Sequence, residues 1–261
     1  MSPTQFRVKK FIGSTKFYAR KGLTGITGNI YTGLHEFTDM GFLLHFLRPE
    51  DIFFDVGANV GSYSLLASGI CKATTIALEP STIASSVLQK NVALNKLDSK
   101  VSVIAAAAGA YSSVSAFTKN EDTTNHMLTN EELKHGDVET VNVITIDSLS
   151  FEQKPSLIKI DVEGFETEVI KGMADTLKQI TLKAIIIELN GSGGRYGFDE
   201  NAIHLLLLTN NFKPCSYNPF KRELNVLEGH GNYNTIYCRD IDFVNTRLTS
   251  AASFKIMGEF I

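Results

Sequence analysis

Two short stretches carry the side chains best suited to chemistry. The first is Asp55-Val56-Gly57-Ala58-Asn59-Val60-Gly61, which follows the apolar run Ile52-Phe53-Phe54. Glycine at 57 and 61 lets the backbone turn sharply and come close to a ligand. A helix starting just beyond would offer unpaired N–H groups. The dinucleotide pattern G-x-G-x-x-G would need glycine at 57, 59 and 62, but Asn59 and Ser62 stand there, so the fit to a pyrophosphate is poor. Glu79 ends the next apolar run, 18 residues after Gly61. An acid at that place accepts hydrogen bonds from ribose hydroxyls. Ribose recognition without a pyrophosphate loop points to a nucleoside cofactor, and S-adenosylmethionine fits. Its amino-acid end would lie by the first loop near Asp55, its ribose on Glu79 and its adenine near the third strand. The blander alternatives are a solvated strand-end acid for Glu79 and a helix cap for Asp55.

The second stretch is Lys159-Ile160-Asp161-Val162-Glu163-Gly164-Phe165-Glu166. Asp161 and Glu163 stand at the C-terminal edge of a strand, where the reactive end of a cofactor would lie, and the next strand ends in Glu188-Leu189-Asn190. Three acids and an amide thus converge in this reading. Methyl transfer from a sulfonium is an in-line displacement, and an aliphatic hydroxyl is a poor nucleophile while protonated, so a carboxylate base or a metal must help. The blander alternative is acids complementing a helix N-terminus. It suits Glu166 well, Glu163 in part and Asp161 poorly, because a buried strand-end Asp costs desolvation unless used or paired. Ligation of a metal by Asp161, Glu188 and Asn190 is a minority reading, and no metal site is assigned. His126 and His135 lie in a polar insert and would serve as base if it folds over the site. His45 and His204 read as packed, and His35 and His230 as exposed.

Regular elements must hold these residues in place. Apolar runs at 52–54, 75–78, 101–104, 157–160, 184–187, 212–217 and 234–238 alternate with helical stretches, which implies a parallel sheet covered on both faces. Ser81 caps a helix with apolar positions Ile83, Val87, Leu88 and Leu94. Phe165, Val169, Met173 and Leu177 form one stripe of another, and a leucine-rich helix follows Asp199. Two stretches break the rhythm: the polar segment 118–140 and the glycine-dense Gly191–Gly197. Both are lid candidates. The domain division expected is a lead-in at 1–50, irregular or helical, a catalytic domain at 51–240 with the 118–140 insert, and a tail at 241–261.

Composition narrows the function classes. The 261 residues are 43% hydrophobic and 20% charged, which suits a globular core. A net charge of -3 excludes a nucleic-acid binder driven by bulk positive charge. No apolar run approaches the ~18 residues of a membrane-spanning helix, and a secretory h-region is missing. Cys71, Cys215 and Cys238 are too few and scattered for a disulfide framework or structural zinc, and read as buried thiols of a cytoplasmic protein. Basic Arg7, Lys9, Lys10, Lys16, Arg20 and Lys21 precede the first acid, Glu36, and read as a solvated face of an N-terminal helix.

At this point the residues resemble a known family. The runs F-F-D-V-G-A-N-V-G-S-Y-S at 53–64, A-L-E-P at 77–80, T-I-D-S-L at 145–149, I-K-I-D-V-E-G-F-E at 158–166 and I-I-E-L at 186–189 look like the FkbM family of S-adenosylmethionine-dependent methyltransferases. Y-T-G-L-H-E at 31–36 resembles the family's lead-in motif, so the likeness covers roughly 31–238. It implies an α/β class I methyltransferase fold, Rossmann-like, with a seven-stranded, mostly parallel sheet whose last strand is antiparallel. It implies O-methylation of a hydroxyl on a sugar, glycoconjugate or natural product. Carried over, Asp55, Gly57, Ala58, Asn59, Gly61, Glu79, Pro80 and Ala107 would hold S-adenosylmethionine. Asp161, Glu163 and Glu188 would be the acids at the reaction end. Asp161 or Glu163 would accept the proton, with Glu188 positioning the acceptor. Where the family often has glycine, Asn210-Asn211 stands here, and Asn tolerates a left-handed helix end. The rival readings are a nicotinamide-dependent oxidoreductase, opposed by the missing third glycine, and a non-catalytic module on the same fold. The partner expected is a small-molecule or glycan acceptor, not a nucleic acid.

Overall fold

A computed structural model describes residues 5–20, 24–119, 124–129, 138–149 and 154–261. The lead-in opens with a hairpin, strand β1 (Arg7–Lys10) antiparallel to β2 (Lys16–Ala19), where an irregular or helical segment was expected. The reason is period-two alternation: Phe17 and Ala19 point into a core with Leu88 and Val92, while all of β1 is exposed. Asn95 and Asn91 tether the hairpin by accepting from the backbone N–H groups of Lys16 and Tyr18, each at 2.8 Å. The basic residues of β1 therefore lie on an exposed strand and not on a helix. Helices α1 (Thr24–Thr32) and α2 (Phe37–Phe46) complete the lead-in.

The sheet then begins. Strand β3 (Ile52–Val56) runs into α3 (Ser62–Ser64), which widens into π-helical turns over Leu65–Ile70. Next come β4 (Thr74–Leu78), α4 (Thr82–Leu94) and β5 (Val101–Ile104). A small side sheet follows, made of β6 (Ala107–Ala108), β7 (Ser113–Thr118) and β8 (Val138–Ile144). Strand β9 (Leu157–Ile160), helix α5 (Glu166–Lys171), β10 (Ala184–Glu188), α6 (Glu200–Thr209), β11 (Lys213–Asn218), β12 (Glu223–Val226) and β13 (Asn234–Cys238) close the main sheet. Helix α7 (Ile241–Thr249) and a hairpin of β14 (Lys255–Ile256) and β15 (Glu259–Phe260) follow.

The main sheet has the order β12-β11-β13-β10-β9-β3-β4-β5. Strands β3, β4, β5, β9 and β10 are mutually parallel, and β13 enters antiparallel between β10 and β11. This is the seven-stranded class I arrangement, with β12 added as an eighth strand at the edge. Its strands read as unbroken apolar runs because both faces are covered. On β10, Ile185 and Ile187 pack with Phe54, Ile158 and Tyr237, while Ala184 and Ile186 face Phe53, Phe46 and Phe42 on the other side.

Three helices refine the expectation. Ser81 does cap α4, its hydroxyl accepting from Ala84 N–H. The buried stripe there is Ala84, Val87, Leu88, Asn91 and Val92, while Ile83 faces outward. Helix α5 ends by Gly172, so Val169, Met173 and Leu177 share a core without sharing one helix, and Phe165 turns toward the cleft. Asp147, of the T-I-D-S-L run, braces that broken segment by accepting from the N–H groups of Asp175 and Thr176. Asn211 takes the left-handed conformation after α6 (φ 64°).

Residues 241–261 pack against the lead-in. Val244, Leu248 and Ile256 share a core with Phe42 and Phe46 of α2, and Arg247 pairs with the buried Asp51. No helix among the described residues is long and apolar enough to cross a membrane. Arg239 ties the far end of the sheet together. Its guanidinium donates to the carbonyls of Leu177 (2.5 Å), Gln179 (2.8 Å) and Asn210 (2.7 Å) and stacks 4.2 Å from the Phe212 ring. Removing it leaves three carbonyls without that donor, so Arg239→Ala should cost about 2–4 kcal/mol in a urea melt. Arg239→Lys should restore only part, because lysine lacks the planar fork.

Candidate active site

Strands β3, β4, β9 and β10 end on the same side of the sheet, and a cavity of about 340 Å³ opens there. It is within the range of small-molecule sites. Nearly every residue singled out in the sequence lines it: Asp55, Gly57, Ala58, Asn59, Glu79, Pro80 and Ala107 on one side, Asp161, Glu163 and Glu188 on the other. Gly61 does not. It stands at the N-terminus of α3 with φ 95°, where a side chain would strike Leu88, so its role is to let the helix start.

The loop after β3 is fixed by neighbours. The N–H groups of Gly57 and Ala58 donate to Leu78 O at 3.0 and 2.9 Å. Gly57 has φ 81°, and a Cβ there would collide with the Asp161 carbonyl, so the two strand ends meet only because residue 57 has no side chain. Asp55 is buried and accepts from Ser64 Oγ at 2.6 Å, and burial pushes its carboxyl up. Its partner is a side-chain hydroxyl in the first turn of α3, whose N-cap is Gly61, so Asp55 is not the helix cap of the blander alternative, and it lines the cavity.

Glu79 accepts from Asn59 N–H on one oxygen and from Ser81 N–H on the other, both at 2.8 Å. Two fixed N–H donors hold the carboxylate in plane, and each oxygen keeps a lone pair for a ligand hydroxyl. Burial pushes Glu79 up to about 7 in spite of those two bonds. It is not a solvated strand-end acid.

The opposite wall is built by β9. Lys159 is buried in the strand and its ammonium reaches Asp161 at 2.6 Å, 4.8 Å above the Tyr63 ring. Burial would lower the lysine, but Asp161, Glu36 and Asp55 outweigh it and hold the lysine above its usual range. Glu163 (φ 55°) and Gly164 (φ 101°) form a left-handed turn. Glu166 braces it, one oxygen accepting from the N–H groups of Val162 (3.0 Å) and Gly164 (3.2 Å). Glu166 is thus more than a helix-dipole acid. It is the support of the loop carrying Asp161 and Glu163.

Asp161, Glu163 and Glu188 each offer an oxygen within 4.8 Å of the others. Oxygens this close repel one another unless a proton or a cation sits among them. Burial and then Asp161 push Glu163 up to about 7, against Lys159 and Arg195. Burial, Asp161 and Glu163 push Glu188 up to about 8. The second oxygen of Glu188 is buried with no hydrogen-bond partner.

Several expectations change. Asn190 is exposed and turns back to accept from Ser192 N–H, so the amide does not join the acids, because its residue has already left the strand. His126 is buried beside β7, with Nδ1 facing the Thr124 carbonyl, and does not line the cavity. His135 lies outside the described residues, as does part of the 118–140 insert. Asn125 and Met127 of that insert do line the cavity, and Tyr196 of the glycine-dense segment donates to Met127 O at 2.6 Å. The three cysteines are free and buried.

The sequence reading missed Lys159, Tyr63, His35 and Glu36, all of which line the cavity, and Asn234 behind it. Asn234 pairs with Glu188 across β13 and β10 and donates to Glu36 (2.7 Å) and Asp39 (3.3 Å). A lysine in an apolar strand was the available signal for Lys159. Nothing in the spacing ties residues 35–39 to residue 234.

A profile of the methyltransferase FkbM domain matches residues 55–214, which includes the lining of both walls apart from the lead-in residues such as His35 and Glu36. The chain belongs to the FkbM methyltransferase family. A curated relative, the hexuronic acid methyltransferase AglP of Haloferax volcanii, is 29% identical over 153 residues, covering 57% of this chain and 59% of its own length. The chain therefore spans less than two thirds of that relative. Among solved structures, an FkbM methyltransferase of Methylobacillus flagellatus KT has a TM-score of 0.50 at 16% identity, over 74% of this chain and 44% of that one. A precorrin-6y C5,15-methyltransferase of Geobacter metallireducens has a TM-score of 0.48 at 15% identity, over 86% and 94%. The FkbM fold thus carries this chain's cavity at the strand ends typical of open α/β sheets.

The packed acids fix a pH dependence. Asp39, Glu79, Glu163, Glu166 and Glu188 all sit near 7 or 8 in the fold, against about 4 to 4.5 unfolded. Between those limits the folded state binds more protons, so stability falls as pH rises. His45, lowered to about 4 by burial, acts oppositely but mainly below about 6.5. The ligand-free protein should therefore melt higher at pH 6.5 than at pH 8, by about 3 °C or more in a calorimetric scan.

Proposed function

We propose that this chain transfers a methyl group from S-adenosylmethionine to a hydroxyl of a sugar or glycoconjugate. The observation that carries the reading is the single cavity wall-to-wall arrangement: a ribose-type acid, Glu79, on one side and three convergent acids on the other. The donor set on the first side suits a nucleoside. Glu79 is oriented by two N–H bonds, small Ala106 and Ala107 leave room for a flat base, and the turn at Gly57 lets the ligand approach the backbone. Asp55 sits where an ammonium group would be balanced. S-adenosylmethionine supplies the electrophilic methyl carbon when bound. The family membership and the relative that acts on a hexuronic acid support a sugar as the acceptor class.

On the reaction side the acids divide the work. Asp161 is engaged by Lys159 at 2.6 Å, and that ion pair makes it a positioning group. Glu188, pushed up to about 8 with a buried, unpartnered oxygen, would take the proton of the acceptor hydroxyl as that hydroxyl receives the methyl group. Glu163 stands beside it and holds the acceptor. This assigns to Glu188 the proton that the sequence reading gave to Asp161 or Glu163. Residues 51–240 form the proposed catalytic unit, yet the lead-in completes its wall with His35 and Glu36.

Glu188→Gln should lower turnover about 10²- to 10⁴-fold while S-adenosylhomocysteine still binds, as read by isotope-labelled methyl transfer beside calorimetry. The wild-type rate should rise with pH and level off above about 8, since a base works only when deprotonated. If Glu188→Gln keeps near-full turnover, the proton goes elsewhere. Glu79→Gln should instead weaken S-adenosylhomocysteine binding about 10- to 100-fold, the loss of a charge-assisted pair of ribose bonds. Unchanged affinity in calorimetry would remove the nucleoside reading.

A further inference from the structure

We propose that the acceptor end of the cavity takes an uncharged sugar through its hydroxyl groups and turns away a sugar acid. The inference rests on the methyl-transfer reading above and adds the charge class of the acceptor.

The wall there is acidic on every side. Glu36 comes from the lead-in, Asp161 and Glu163 from the turn after β9, and Glu188 from the end of β10. Asp39 stands behind Glu36, joined to it through Asn234. Against them, Lys159 is the one lysine or arginine lining the cavity among the described residues, and its ammonium is already bound to Asp161. A carboxylate on the acceptor would meet at least three acids, and the described lining offers it no lysine or arginine outside that ion pair, Arg195 acting on Glu163 from beyond the lining. Like-charge contacts of this kind cost affinity, about 10-fold or more.

A second observation points to the ligand's hydrogen bonds. Tyr63 lines the cavity at 4% exposure, and its hydroxyl faces the Glu36 carboxylate without a well-formed hydrogen bond. One oxygen of Glu188 and the amide oxygen of Asn234 are buried and unpaired. Buried polar atoms left so are rare and call for a partner. In the ionised state that Glu188 needs to act as base, the carboxylates accept only, whereas a sugar hydroxyl both donates and accepts. Several hydroxyls on one ring can satisfy Glu188 and Glu163 as donors and Tyr63 as either. A uronate group brings acceptors to a wall of acceptors. A carboxylate is moreover already a nucleophile and needs no base, so the raised Glu188 would have no task.

The test uses the full chain with isotope-labelled S-adenosylmethionine and matched methyl glycosides. Each of the gluco, manno and galacto series is offered as the neutral hexoside and as the uronoside, beside an oligosaccharide pool containing both residue types. Mass spectrometry locates the label. One arm contains EDTA and the other Mg²⁺, because a cation among Asp161, Glu163 and Glu188 would recruit carboxylates. The expected result is label on hydroxyls of neutral residues, at least about tenfold faster than on uronic residues, in both arms. Label on uronic residues at a comparable rate, as ester or ether and in either arm, overturns the inference and leaves the methyl-transfer reading standing. No label on any sugar, with donor binding intact in calorimetry, overturns that reading and the inference with it. Glu36→Gln should narrow the neutral-to-uronic ratio. A merely structural loss would lower both rates together and leave the ratio unchanged, which would count against the charge argument.

Discussion

The buried ion pair of Lys159 and Asp161 is the constraint around which the cleft is arranged. A full positive charge in the middle of a covered sheet is tolerated only with partners close by. Asp161 is the direct partner, Asp55 and Glu36 add to the field, and the Tyr63 ring lies beneath the ammonium. Because β3 and β9 are adjacent and parallel, Asp161 also ties their ends together, its N–H donating to the Val56 carbonyl at 3.0 Å. Residue 57 must then be glycine, since the Asp161 carbonyl occupies the space of any side chain. The cofactor loop and the acid loop are therefore one mechanical unit, joined backbone to backbone.

The remaining acids depend on that unit. Glu166 holds the left-handed turn at Glu163 and Gly164, and the turn brings Glu163 near Glu188. Strained backbone of this kind persists where surrounding bonds over-determine it. The cost is a set of carboxyl groups that hold protons near neutral pH, which is the condition under which a carboxylate serves as an effective base. Stability and chemistry thus draw on the same groups in opposite senses.

Much of this was legible in the residues. Apolar runs on β3, β4, β9 and β10 announced strands covered on both faces, and acids placed where those runs stop fell at one edge of one sheet. Ser81 and Asp199 marked helix starts because their side chains suit N-caps. The failures have local causes. A four-residue stripe from Phe165 to Leu177 does not reveal that the helix stops at Gly172. Asn190 follows a strand closely enough to look like part of its edge, yet it already belongs to a turn. The hairpin of β1 and β2 is short, and its basic outer face hides the alternation on which it rests. The acceptor wall was hardest to see, since Glu36, Glu188 and Asn234 are far apart in sequence and meet only through pairing of β10 with β13 and docking of α2.

That last junction has a consequence for how the protein can change. The proposed nucleoside grip is local, spanning a strand, a loop and the start of the next helix, and it shares its geometry with the fold. The far wall is assembled from segments that the sheet merely brings together, with Asn234 as the strut between them. Substitutions at residues 35–39 or around 234 can reshape what is recognised there without loosening the donor. Descendants of this sequence can therefore diverge at the far wall while the loop after β3 keeps its shape.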